Sequence, residues 1–173
     1  MKVFRARQPW HNVPLVVALL VVFVAISAEG ATKIGGMAPN FTLKSMSGKN
    51  LRLSEYRGEV VMINFWATWC GPCRQEMPIL DQLYKRYRDV GFALLGVNID
   101  GKAVKARHMV KRLKVTYPIL FDSEKSVSQL YDVNAMPTTV MIDRDGRLRY
   151  VHRGYLSGYE DKYRQQIREL LKE

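Results

Sequence analysis

Residues 60–78, VVMINFWATWCGPCRQEMP, constrain this chain more than any other stretch. Val60 to Trp66 is an apolar run with the length and β-branched content of a buried strand. Ala67-Thr68-Trp69 turns the chain into Cys70-Gly71-Pro72-Cys73, and Arg74, Gln75, Glu76 and Met77 are good helix formers. A strand, a tight turn and a helix carrying two thiols in its first turn form the context in which Cys-x-x-Cys reads as a redox motif. The chain has 2 cysteines, and both lie here.

Disulfide exchange needs an accessible thiolate and a second thiol that displaces the captured partner. At the helix N-terminus, Cys70 is the expected attacker, and Cys73, one turn inward on the same face, the resolving thiol. Lowering a cysteine pKa from about 8.5 to about 7 takes roughly 2 kcal/mol. The helix dipole supplies about 0.3–1 kcal/mol, so backbone N–H groups and the Cys73 thiol must supply the rest. Pro72 fits the first helical turn, where its missing donor costs nothing, and Gly71 completes the motif. Glu76 falls one turn past Cys73, and two readings stay open for it. One is a partly buried carboxylate of raised pKa that shuttles the Cys73 proton; the other is an exposed first-turn acid favoured by the dipole.

Competing uses of the thiols fit less well. A purely structural bridge over so short a loop contributes only about 2 kcal/mol. A closed zinc site needs about four ligands. His11, His108 and His152 show no ligand spacing and are expected at the surface, so no metal or cofactor is expected. A thiol peroxidase needs a peroxidatic cysteine in another loop. A copper-handling metallochaperone or other thiol-binding module is the alternative reading, since two soft thiolates suit Cu(I).

The flanking chain reads as alternating strands and helices. Residues 40–43 and 51–53 bracket a Ser47-Gly48-Lys49 turn as a small hairpin. Ile79, Leu80, Leu83, Tyr84 and Tyr87 continue the helix, which Gly91 ends. Residues 92–99 read as a second buried strand. Lys102 to Lys114 is a basic helix with Val104, Met109, Val110 and Leu113 as its expected inner face. A short strand at 118–121, a short helix at 126–131, and an antiparallel hairpin of 138–142 with 148–151 follow. Residues 159–171 form the last helix, with Tyr163, Ile167, Leu170 and Leu171 on one face. The pattern is α/β, a sandwich around a mixed sheet. Met136-Pro137-Thr138 enters a strand with one ladder donor missing, which leaves backbone beside Met136 and Thr138 free to pair with an extended substrate.

Residues 1–12 are basic, and 13–28 hold the uncharged run Val13 to Ile26, read as a signal peptide or membrane anchor helix. Fourteen helical residues cover about 21 Å of a hydrocarbon core of about 30 Å, and Ala25-Ile26-Ser27 offers a cleavage site. Either outcome sends the following chain outward. Residues 29–39 read as a linker and 40–173 as the domain. The net charge is +11, and +9 without residues 1–30; the basic residues are spread without a nucleic-acid motif, so no nucleic-acid partner is expected.

WCGPC after an apolar strand, Pro78 beyond the second thiol, and Met136-Pro137-Thr138 before a later strand together resemble the thioredoxin superfamily over residues 38–173. The export signal, the hairpin at Phe41-Thr42-Leu43 and the inserted helix are most similar to the membrane-tethered, extracytoplasmic TlpA/ResA group. The resemblance implies a three-layer α/β/α sandwich with an N-terminal hairpin. It implies a disulfide reductase on the periplasmic side of the inner membrane, serving protein thiol/disulfide substrates such as apocytochrome c. A membrane electron donor would recharge it. It implies a redox disulfide Cys70–Cys73, a functional Glu76, and a cis Pro137 lying against Cys70; Trp69 serves as a rim aromatic. The superfamily's buried Asp–Lys pair is replaced by Asn64 and Gly96, so another group must handle the proton, and Ala135 stands where glycine is usual.

Overall fold

The alternation of apolar runs and amphipathic segments yields seven strands and four helices in a computed structural model that describes residues 33–173. In chain order these are β1 Thr42–Ser45, β2 Asn50–Arg52, β3 Val60–Trp66, α1 Gly71–Tyr87, β4 Phe92–Asn98 and α2 Ala103–Leu113. They continue with β5 Ile119–Phe121, α3 Ser126–Leu130, β6 Thr138–Ile142, β7 Leu148–Arg153 and α4 Tyr159–Leu170. The basic N-terminal region, the signal or anchor run and the start of the linker lie outside the described residues.

One mixed sheet orders the strands β2-β1-β5-β4-β3-β6-β7. β3, β4 and β5 run parallel, and the remaining neighbours are antiparallel. β3 and β4 are buried at every position, which is why their sequences read as continuous apolar runs rather than alternations. Alternate residues serve two cores. Met62, Trp66 and Leu94 face Met77 and Leu80 of α1, Met109 and Val110 of α2, and Tyr163 and Ile167 of α4. Ile63, Phe65, Leu95 and Val97 face Phe41, Leu53, Val127 and Tyr131.

The fold is the expected α/β sandwich, with one face covered by three helices and the other by short α3, a 3-10 turn at Leu53–Tyr56 and the segment before β1. Part of the segment read as linker is docked. Gly35 N–H donates to Leu148 O at 2.7 Å, Leu148 N–H to Gly36 O at 2.9 Å and Ala38 N–H to Gly146 O at 2.9 Å.

Two expectations about side chains are corrected. Val104 is 64% exposed; Ala106, Met109 and Val110 form the buried face of α2. Val104 lies in the first turn, before the first buried residue of the helix, Ala106. His152 is buried. Alternation along β7 turns it toward α4, where it meets Gln166 Oε1 at 2.8 Å and packs edge-on against Tyr163. Burial pushes its pKa down, against a smaller opposing pull from Gln166.

Candidate active site

Register places the expected groups at one end of the sheet. β3 ends at Trp66 beside Asn98 of β4, while antiparallel β6 begins at Thr138 beside Phe65. The Ala67–Cys70 turn and the Met136-Pro137 step therefore emerge together at the carboxyl ends of the parallel strands, the customary position for sites in such sheets.

The turn is tied down by its neighbours. Asp100, just past β4, accepts from Thr68 N–H at 3.0 Å and Thr68 Oγ1 at 3.2 Å. Arg74 donates to Thr68 O at 3.0 Å. Cys70 is the N-cap of α1, with Pro72 in the first turn, and Cys73 N–H points at Cys70 Sγ across 3.1 Å. That donor would stabilise a thiolate there, where the dipole also acts. Cys70 and Cys73 are bonded, with Cα atoms 5.3 Å apart.

Cys70 is less open than an attacking thiolate was expected to be. It is 4% exposed, against 0% for Cys73. Cys70 belongs to the buried cluster packed on α1, with its sulfur bonded to Cys73. Trp69 beside it is 67% exposed, Pro72 is exposed and Gly71 half-buried.

Met136-Pro137 is a cis peptide, with Pro137 buried and Met136 half-buried. Gly154 N–H holds Pro137 O at 2.7 Å, while nothing among the described residues pairs with the Met136 backbone. Thr138, expected to meet substrate, is fully buried as the first residue of a central strand. Its Oγ1 donates to Ala135 O at 2.7 Å, so the side chain ties down the turn before β6.

Glu76 is fully buried, one turn past Cys73 on the same face of α1. Asn64 Nδ2 donates to its Oε2 at 2.8 Å, Tyr163 Oη to Oε1 at 2.7 Å and Thr139 Oγ1 to Oε1 at 3.4 Å. Burial raises its pKa to about 7, although these three hydrogen bonds pull it back toward the ordinary carboxylate range. A carboxyl poised near neutrality beside a buried thiol can take and return a proton.

Sequence reasoning missed Tyr163 and Thr139 as partners of this carboxyl. A signal existed in each case: a tyrosine on an inward helix face and a threonine hydroxyl in an apolar strand both need hydrogen-bond partners. Gly96 stands opposite Asn64 on β4, and Tyr117 and Ile119 occupy the space where a longer side chain would go.

Comparison with known proteins follows the same lines. A profile of the AhpC/TSA family matches residues 34–151. The thiol-disulfide oxidoreductase ResA of Geobacillus kaustophilus is 37% identical over 148 residues, covering 80% of this chain and 85% of its own. ResA of Bacillus subtilis is 34% identical over 123 residues, 71% of this chain and 69% of its own. Among solved structures, a Chlorobium tepidum chain provisionally assigned as the thiol:disulfide interchange protein DsbE superposes with a TM-score of 0.77. It is 35% identical, over 80% of this chain and 98% of that one.

Proposed function

The chain belongs to the AhpC/TSA family and is a thiol–disulfide oxidoreductase with ResA-type relatives, and from that premise we propose that it reduces protein disulfides outside the cytoplasm. The observation that carries this reading is the bonded Cys70–Cys73 pair at the head of α1 with a buried carboxyl, Glu76, one turn below it. The site's proposed working residues are Cys70, Cys73 and Glu76, supported by Trp69, Gly71, Pro72 and Pro137, with the Met136 backbone receiving the client strand.

In the reducing direction, the Cys70 thiolate attacks one sulfur of the client disulfide. The client S–S bond breaks, a Cys70–client disulfide forms, and the departing client thiolate takes a proton from solvent. The Cys73 thiol then passes its proton to Glu76, and the new thiolate attacks Cys70 Sγ. The mixed disulfide breaks, Cys70–Cys73 forms and the second client thiolate leaves. Two electrons have moved from the cysteine pair to the client, and a dithiol donor on the membrane returns them.

Several features support direction and place. Gly71-Pro72 matches the dipeptide of reducing thioredoxin, near −270 mV against about −120 mV for a strong oxidant. Basic residues before an uncharged run direct the domain outward, whether residues 13–28 are cleaved or stay as a tether. Apocytochrome c in cytochrome c maturation is the proposed client.

Cys73→Ala tests the mechanism. The reduced variant should accumulate a client mixed disulfide through Cys70, which Cys70→Ala cannot form. Tight Cu(I) binding by the wild type without any exchange would overturn the proposal in favour of a metal-carrying module.

A further inference from the structure

Beside the redox turn lies an open groove of about 1120 Å³ between the Thr68-Trp69 loop and α2. Two large apolar side chains stand exposed at its walls, Trp69 at 67% and Val104 at 64%. Lys102, Lys105 and Arg112 bring three cations to the lining, with His108 among them. Asp100 is the acid in the lining, and its carboxylate is committed to Thr68 and to Asn98 Nδ2 at 2.8 Å. Residues 101–116 contain no Asp or Glu. Among the described residues Lys102, Lys105 and Arg112 form no ion pair. Arg107, by contrast, is used internally on Met46 O at 3.0 Å and over the Phe121 ring.

We propose that this groove is the client-recognition subsite, taking a polypeptide segment that carries a bulky apolar side chain flanked by Asp or Glu. The inference rests on the exchange reading above. Three observations select this occupant. At about 1120 Å³ and open to solvent, the groove lies at the upper end of the range of about 300–1,000 Å³ found for small-molecule pockets and has room for a polypeptide segment. Trp69 lines the groove and adjoins Cys70 in the chain, so the groove begins one residue from the reacting cysteine. With three cations, Lys102, Lys105 and Arg112, against the one carboxylate of Asp100, the rim stays net positive and offers charge complementarity to carboxylates, which acts on encounter rate and on the choice between partners. Trp69 and Val104 supply the apolar anchor between those charges.

The test uses the reduced full chain and three peptides, each with one internal disulfide and one leucine. They differ only in whether that leucine is flanked by Asp and Glu, by Ser, or by Lys. Second-order reduction rates are compared at low and at high ionic strength, where the Debye length falls from about 30 Å near 0.01 M to about 3 Å near 1 M. The acidic peptide should react about tenfold faster than the lysine peptide at low salt, the order being lost at high salt. Lys105→Glu combined with Arg112→Glu should reverse that order, and Val104→Ser should lower the rate for the acidic leucine peptide relative to a fourth peptide in which glycine replaces that leucine. Equal rates for the three peptides would overturn the proposal, as would an order that the double reversal leaves unchanged. So would groove-dependent binding to phosphatidylglycerol vesicles without any peptide preference. Reduction of none of the peptides would defeat the exchange reading itself, and the subsite with it.

Discussion

A carboxyl group removed from water is a poor anion, and Glu76 holds a pKa near 7 for that reason despite three hydrogen bonds that favour its charge. The consequence for catalysis is a resolution step that gains its base as pH rises through about 7. Glu76→Gln should remove that inflection, leaving a profile that follows thiol ionisation alone; stopped-flow decay of the mixed disulfide measures it. The consequence for stability has the opposite sense. Between pH 4.5 and about 7 the folded protein keeps a proton that the unfolded chain has released, so stability falls as pH rises across that window. The loss is about 3 kcal/mol and is complete above the folded pKa. Urea denaturation of the oxidised protein should show this decline, and Glu76→Gln should flatten it. The cysteine pair and the position of Glu76 were legible in the sequence as spacing. Its burial was not, because Tyr163 and Thr139, which cover and bond it, lie 87 and 63 residues away.

At the level of elements, one lateral row explains several residue choices. Ile119, Gly96, Asn64, Thr139 and His152 are register neighbours across β5, β4, β3, β6 and β7. Asn64 and Thr139 hold Glu76, and His152 packs against the ring of Tyr163. A Cβ at Gly96 would stand 2.7 Å from Ile119 Cδ1 and 2.8 Å from Tyr117 Cε2, closer than real atoms pack. Gly96→Ala should therefore destabilise the protein by about 1–3 kcal/mol, read as a lowered urea midpoint at unchanged slope. A midpoint equal to that of the wild type would show that the Tyr117 ring can move aside. Strands β3 and β4 were legible because both faces are buried and every position is constrained. The inner face of α2 was read less well. Periodicity reports which residues share a stripe, and only the packed structure shows that the buried part of that stripe begins at Ala106 and leaves Val104 outside it.

For the whole molecule, the proposed outward placement makes a direct prediction. Intact cells expressing the full chain, briefly reduced, should have Cys70 labelled by a membrane-impermeant maleimide, and labelling only after lysis would contradict it. The sequence by itself determined the α/β class, the order of the strands and helices, and the motif at the head of α1. These follow from local periodicity, turn chemistry and the sharp contrast between apolar runs and their polar surroundings. Tertiary structure alone decided that Thr138 is buried, that His152 is inside, and that Trp69 and Val104 face one basic groove. Such facts depend on which distant segments cover a residue. A side chain's solvation, and hence its charge and its availability to a partner, is a property of the packed molecule rather than of the chain.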